Sequence, residues 1–197
     1  MKALLIIFIL CSLGSGVRAG GASEGDAARL GSPNSVVLAS FDSDDGSVLQ
    51  WGVVNDTVMG GRSTSQFSVN NGALHFTGKL NLNGGGFASI RSIPQRMNLG
   101  PFEGLKVRIR GDGRSYQMRL MTGRRSVAYR AEFETVADQW RDIILPFSDF
   151  VATWRGQRVQ ARPLDLRSIQ SVGVMIADNL NGPFALEIDS IEAVGAR

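Results

Sequence analysis

Trp51, Asn55, Asp56 and Arg62 lie close together in the chain and combine an indole ring with amide, carboxylate and guanidinium groups. Such a set can build a sugar site, with the ring as a platform and the planar polar groups bonding hydroxyls. Arg91, closing the block Gly85-Gly86-Phe87-Ala88-Ser89-Ile90-Arg91, extends the same candidate surface for a ligand or a partner. An architectural account stands beside it. Trp51 opens a strand and can bury its ring, and Asp56 can bond backbone amides of the Met59-Gly60-Gly61 turn. Asn55-Asp56-Thr57 is also a formal glycosylation sequon.

Asp42-Ser43-Asp44-Asp45-Gly46 gathers carboxylate oxygens on a tight turn, the donor set a hard cation prefers. Asp42, Asp44 and Asp45 are therefore weak calcium candidates, with a solvated acidic turn as the competing account. The helix–loop–helix form fails because its twelfth position is Val53 rather than Glu. One Cys and one His exclude thiolate zinc sites and multi-histidine metal centres, and they leave almost no supply of general bases for a nucleophile triad. The lone His75 alternates away from Leu74 and Phe76 and belongs on a sheet surface. Asp178 and the Glu187/Asp189 pair are the carboxylates to weigh for glycoside hydrolysis, but Glu187 and Asp189 alternate away from Leu186 and Ile188, toward solvent. Gly111-Asp112-Gly113-Arg114-Ser115-Tyr116 lacks the third glycine of a dinucleotide loop, and no Lys-Ser/Thr follows Gly84-Gly85-Gly86. No catalytic residue and no cofactor are expected.

The elements that must position these groups are strands. Leu105 to Arg110, Tyr116 to Leu120 and Val127 to Phe133 alternate apolar and polar residues with a period of two. Gly111 to Arg114 and Thr122 to Arg125 read as turns between them, which predicts a three-stranded antiparallel meander. Further strands are expected at Val36–Phe41, Leu49–Val54, Gln66–Val69, Ala73–Lys79, Phe87–Ile93, Trp140–Leu145, Val172–Ile176 and Phe184–Val194. Asn70-Asn71-Gly72 suits a hairpin turn. Pro163 to Ile169 is the best short helix, and Asp149 to Arg162 reads as a long connection. About ten short strands with turns between them predict an all-β fold, a two-sheet antiparallel sandwich.

The meander carries a charge signal. With Leu105, Val107, Ile109, Met118, Leu120, Tyr129 and Ala131 inward, Lys106, Arg108, Arg110, Arg119 and Arg130 share one outer face. Residues 106–130 hold eight basic residues against one acid. Such a basic face suits an anionic surface, a polyanionic glycan or an acidic partner, unless Glu103, Glu132 and Glu134 neutralise it. No aromatics interleave the arginines for base stacking, so nucleic acid is not an expected partner.

The first residues pose a separate question. Lys2, the apolar run Ala3–Leu13 and Val17-Arg18-Ala19 have the layout of an export signal, too short for a membrane-spanning helix. The expected organisation is a signal at 1–19, a flexible leader at 20–34 and one sandwich domain at 35–197, with no transmembrane segment after cleavage. The expected location is periplasmic or secreted. Net charge falls from +3 to +1 once Lys2 and Arg18 leave, so overall charge names no partner.

Several blocks occur in a specific order: Phe41-Asp42, Trp51 to Ser63 with its Asp56-Thr57-Val58-Met59-Gly60-Gly61 core, Phe76-Thr77-Gly78, Gly85 to Arg91, Gly111 to Tyr116, Leu145 to Phe150, Trp154-Arg155-Gly156 and Ile169 to Asn179. From Val36 to Val194 the chain resembles the NADH:ubiquinone oxidoreductase complex I intermediate-associated protein 30 family. The resemblance implies a galactose-binding-like jelly roll and a non-enzymatic role, as an assembly factor or chaperone of respiratory complex I. Its partner would then be a protein, such as a membrane-complex subunit. A carbohydrate- or ligand-binding module outside the cytoplasm, with a glycan as partner, is the alternative.

Overall fold

The computed structural model describes residues 34–42, 49–123 and 127–195. The expected export signal, the leader through residue 33, Asp44, Asp45 and the Arg124-Arg125 turn lie outside the described residues.

Thirteen strands form two sheets among the described residues. They are β1 (Ser35–Ser40), β2 (Trp51–Asn55), β3 (Thr64–Asn70), β4 (Ala73–Leu80), β5 (Ala88–Ser92), β6 (Gly104–Arg110), β7 (Ser115–Met121), β8 (Ala128–Glu134), β9 (Trp140–Pro146), β10 (Val151–Trp154), β11 (Gln157–Arg158), β12 (Ser171–Ile176) and β13 (Gly182–Val194). One sheet runs β3-β4-β13-β6-β9, with β1 also on β13; the other runs β11-β10-β8-β7-β12-β5-β2. The pairings are antiparallel throughout.

Period two decides what each sheet turns inward. Leu74, Phe76, Leu105, Val107 and Ile109 from one sheet meet Ile90, Met118, Leu120, Val172 and Val174 from the other, all buried. Long β13 keeps its apolar side inward by a bulge between Ile188 and Ser190, so Ile188 and Ile191 both reach the core. The bulge falls at Asp189, which breaks the simple alternation from Glu187.

Three sequence expectations change. First, there is no three-stranded meander. β6 pairs with β13 and β9, whereas β7 pairs with β8 and β12, so the Gly111–Arg114 link crosses between sheets instead of closing a hairpin. Asp112 fastens this crossing: Oδ1 accepts from Arg114 N and Tyr116 OH at 3.1 Å each, and Oδ2 accepts from Ala185 N at 2.8 Å. The Arg114 guanidinium then closes a two-bond pair with Asp178 at 2.6 and 2.8 Å.

Second, the connection from Asp149 to Arg162 contains β10 and β11. Arg155 and Gly156, with φ of 47° and 81°, make the two-residue turn that joins them. Third, the expected helix at Pro163–Ile169 shortens to one 3₁₀ turn, Leu166–Ser168, capped by the Asp165 side chain accepting from Arg167 N.

The crossing also breaks up the expected basic face. Lys106, Arg108 and Arg110 lie on the outer side of the six-stranded sheet, and Arg119 and Arg130 on the outer side of the other. A shared face needed β6 beside β7, and β6 is instead held by its non-local pairing with β13.

Candidate functional site

Asp56 is fully buried at the start of a 3₁₀ turn after β2. Its carboxylate accepts from Ser63 N at 2.9 Å, Ser63 Oγ at 2.6 Å, Gly86 N at 2.6 Å and Phe87 N at 3.3 Å. Burial by itself raises the pKa of this carboxyl, but the hydrogen bonds from Ser63, Gly86 and Phe87 outweigh it and the net shift is downward. A Cβ on Gly61 or Gly85 would overlap the Asp56 side chain, which accounts for glycine at both positions. Asp56 thus ties the 56–63 turn to the 84–87 loop, and its lone pairs are taken up by the protein.

The rest of the first candidate group is equally architectural. Trp51 packs on the core with its ring 5.9 Å from that of Phe41. Asn55 Oδ1 accepts from Ser65 Oγ at 2.7 Å. Arg62 is exposed and stands apart. The sugar constellation of Trp51, Asn55, Asp56 and Arg62 is therefore not assembled: period two puts Trp51 and Asn55 on one side of β2, where the ring is packed on the core and the amide oxygen is taken by Ser65, and the Asp56 turn is folded onto its own loop.

Of the calcium candidates only Asp42 is described, half-buried, and no group of metal-ligating side chains occurs among the described residues. His75 is on the sheet surface, as expected, with Nε2 3.2 Å from the Asn70 carbonyl and Nδ1 3.9 Å from Glu187. Asp178 is partly buried and held by Arg114, and Glu187 is held by Arg110 at 2.7 and 2.8 Å.

On the six-stranded sheet each of the three basic residues of β6 meets an acid on the neighbouring strand. Lys106 pairs with Glu192 at 2.7 Å, Arg108 with Asp142 at 3.3 Å and Arg110 with Glu187 at 2.7 Å. Arg108 and Arg110 also flank the Trp140 ring at 5.6 and 5.3 Å. The neutralising acids come from β9 and β13, not from Glu103 or Glu134.

The other sheet differs. One register row runs Gly52, Arg91, Gly173, Arg119, Arg130 across β2, β5, β12, β7 and β8. The three arginines form the floor of a groove of about 1040 Å³ on the outer face of this sheet. Gly173 makes the row possible, because its missing Cβ leaves space within 3.1 Å of the Arg91 Cγ.

All three Nε atoms are buried without a hydrogen-bond partner among the described residues. Arg119 Nη1 lies 2.9 Å from Met175 Sδ, and Arg130 pairs with Glu132. Burial first, then the charges of Arg91 and Arg130, push the Arg119 pKa down to about 10; burial also lowers that of Arg91.

Exposed Val58 and Met59 stand at one rim of the groove, and exposed Trp154, with Arg155 5.9 Å over its ring, stands at the other. The sequence points to Arg119 and Arg130 as outward and to Arg91 as a surface candidate. It does not place the three in one row, since register across β5, β12 and β7 is set by distant pairings. The glycine inside the apolar stretch Val172-Gly173-Val174 is the local signal of a close approach there.

Residues 39–188 match the family described as Complex I intermediate-associated protein 30. The chain belongs to that family. A mouse member, the mitochondrial Complex I intermediate-associated protein 30, is 29% identical over 167 residues, covering 72% of this chain and 51% of its own. A probable mitochondrial member from Caenorhabditis elegans is 34% identical over 98 residues, covering 46% of this chain and 28% of its own. The chain thus spans about half the length of the mouse relative, and less of the nematode one. Both relatives are named as mitochondrial, which overturns the expectation of an exported, periplasmic or secreted chain.

Among solved structures, the family 11 carbohydrate-binding module of a Clostridium thermocellum cellulase superposes with a TM-score of 0.61 at 18% identity, over 82% of this chain and 95% of that one. The same family 11 module bound to a β-1,3-1,4-mixed-linked tetrasaccharide gives 0.60 at 17%, over 83% and 96%. At that identity the likeness establishes the jelly-roll sandwich alone.

Proposed function

We propose that this member of the family is a non-catalytic assembly factor that holds a protein component of respiratory complex I in the groove of the seven-stranded sheet. The observation that carries the reading is the row Arg91, Arg119 and Arg130. Three guanidiniums are partly withdrawn from water, and their Nε donors are unused among the described residues, an arrangement that costs stability unless a partner completes it. The carboxylates weighed for hydrolysis fit a binding role better than a catalytic one, since Asp178 and Glu187 are held by arginines and a general acid must carry a proton. No helix among the described residues is long and apolar enough to cross a membrane. The test is affinity capture of the tagged chain from detergent extracts of respiratory membranes, read by mass spectrometry. Retention of complex I subunits is the expected result; their absence overturns the reading.

A second reading, a glycan-binding module, has one observation in its favour. Trp154 is exposed at the rim of the groove, on the β10–β11 hairpin, where the ring face not covered by Arg155 could stack on a sugar. Release of the captured material by free oligosaccharide would favour it over the first.

A further inference from the structure

We infer that the Arg91–Arg119–Arg130 row is a docking site for an acidic, extended peptide segment of the protein partner. This deepens the reading above by giving the chemistry of what the groove holds. Charge is the first argument. On the outer face of the six-stranded sheet Lys106, Arg108 and Arg110 each have an acid across the strand, but in the groove, among the described residues, only Glu132 pairs with the row, through Arg130. Three guanidiniums against one carboxylate leave a surplus that carboxylates can fill with charge-assisted, two-bond geometry.

Donor geometry is the second argument. The buried Nε atoms of all three arginines lack partners among the described residues, and Met175 Sδ, which Arg119 Nη1 meets, is only a weak acceptor.

Shape is the third. The groove runs from Val58 and Met59 to Trp154, across a sheet of seven strands. At about 4.8 Å between strands the sheet is roughly 29 Å wide, the length of about nine extended residues. Acidic side chains on alternate residues fall about 7 Å apart, between the one-strand spacing of Arg119 and Arg130 and the two-strand spacing of Arg119 and Arg91. The intervening floor and rims offer Met121, Met175, Ile93 and Trp154 to apolar side chains. A free phosphate would use one point of this length and none of the apolar wall.

The experiment is a titration of the full chain with a fluorescein-labelled ten-residue peptide alternating Glu and Val, read by anisotropy. A Gln-for-Glu peptide, inorganic phosphate and anionic lipid vesicles serve as comparisons. The Glu peptide should bind and the Gln peptide should bind at least tenfold more weakly. Arg91→Gln/Arg119→Gln should cost tenfold or more, and Arg108→Gln, on the opposite sheet, should cost nothing. The guanidinium Nε–H signals of the three arginines in the unaltered chain should move during the titration, which decides the matter even if the double variant does not fold.

The inference is overturned if the Glu peptide does not bind, if the Gln peptide or the double variant binds as tightly, or if the three signals stay still. It is also overturned, in favour of a phosphate ligand, if phosphate or vesicles displace the peptide and move the same signals. Its failure is separable from that of the assembly reading. Capture of complex I subunits undiminished by the double variant sinks the inference alone. Peptide binding without subunit capture sinks the assembly reading alone.

Discussion

Arg119 on β7 lies directly across from Arg130 on β8, two cations in register on the floor of one groove with a single carboxylate among the described residues, Glu132, paired to them through Arg130. Like charges directly opposite in a sheet are destabilising, and burial removes the water that would screen them. Replacing Arg119 by Met keeps the length of the stem and removes the charge. The variant should be about 1 kcal/mol more stable, a rise in Tm of about 2–4 °C by calorimetry. An unchanged or lower Tm would mean that the row is not repulsive.

Asp56→Asn should have the opposite effect. The amide puts donors where Ser63, Gly86 and Phe87 already donate, so destabilisation of about 2–4 kcal/mol is expected in urea unfolding. The pH dependence follows from the lowered folded pKa of this carboxyl. Its contribution is complete above the unfolded value of about 3.9 and is lost as pH falls through the lower folded value. The acid limb of wild type should therefore be steeper than that of the variant. Parallel limbs would remove Asp56 from the acid response.

Arg114→Gln leaves the largely desolvated Asp178 carboxylate without its ion pair and releases the carbonyls of Leu180 and Pro183 from the same guanidinium. Breaking a buried pair from one side costs about 3–5 kcal/mol. Equilibrium denaturation should give a loss in that range, and a loss under 1 kcal/mol would show that the crossing between sheets does not depend on this pair.

Trp51→Ala should cost about 2–4 kcal/mol, at or below the usual range for a buried Trp, because Trp51 sits on an edge strand and is only partly buried. Trp51→Phe should cost less than about 1 kcal/mol, since the buried Nε1 has no partner among the described residues to lose. Thermal melts of the two variants check both values.

Arg108→Gln should change stability by no more than about 0.5 kcal/mol, as expected for an exposed ion pair, and Arg110→Gln by about 1 kcal/mol because its two-bond pair to Glu187 is half-buried. Neither should weaken partner binding or alter its salt dependence. Salt-dependent binding lost on this face would return the working surface to the six-stranded sheet.

Local order was legible in the chain because a strand needs only alternation. Eleven strands follow from period two and turn residues, and the inward sets Leu105, Val107, Ile109 and Met118, Leu120 follow with them. The family blocks made the jelly roll legible as well, and Asp56 was readable as a carboxylate that binds backbone amides, but the expected amides of the Met59-Gly60-Gly61 turn give way to those of Ser63, Gly86 and Phe87, the last two from a loop some thirty residues away. What alternation cannot encode is which strand lies alongside which. Gly111-Asp112-Gly113-Arg114 has the composition of a hairpin turn, and only the pairing of β6 with β13, some eighty residues away in sequence, makes it a crossing. That single difference sends Arg110 to Glu187 and leaves Arg119 for Arg91 and Arg130. The outward direction of an arginine is a property of its own strand, whereas its partners belong to strands brought alongside by a shared core. The neutral face and the charged groove were therefore decided only by the tertiary structure.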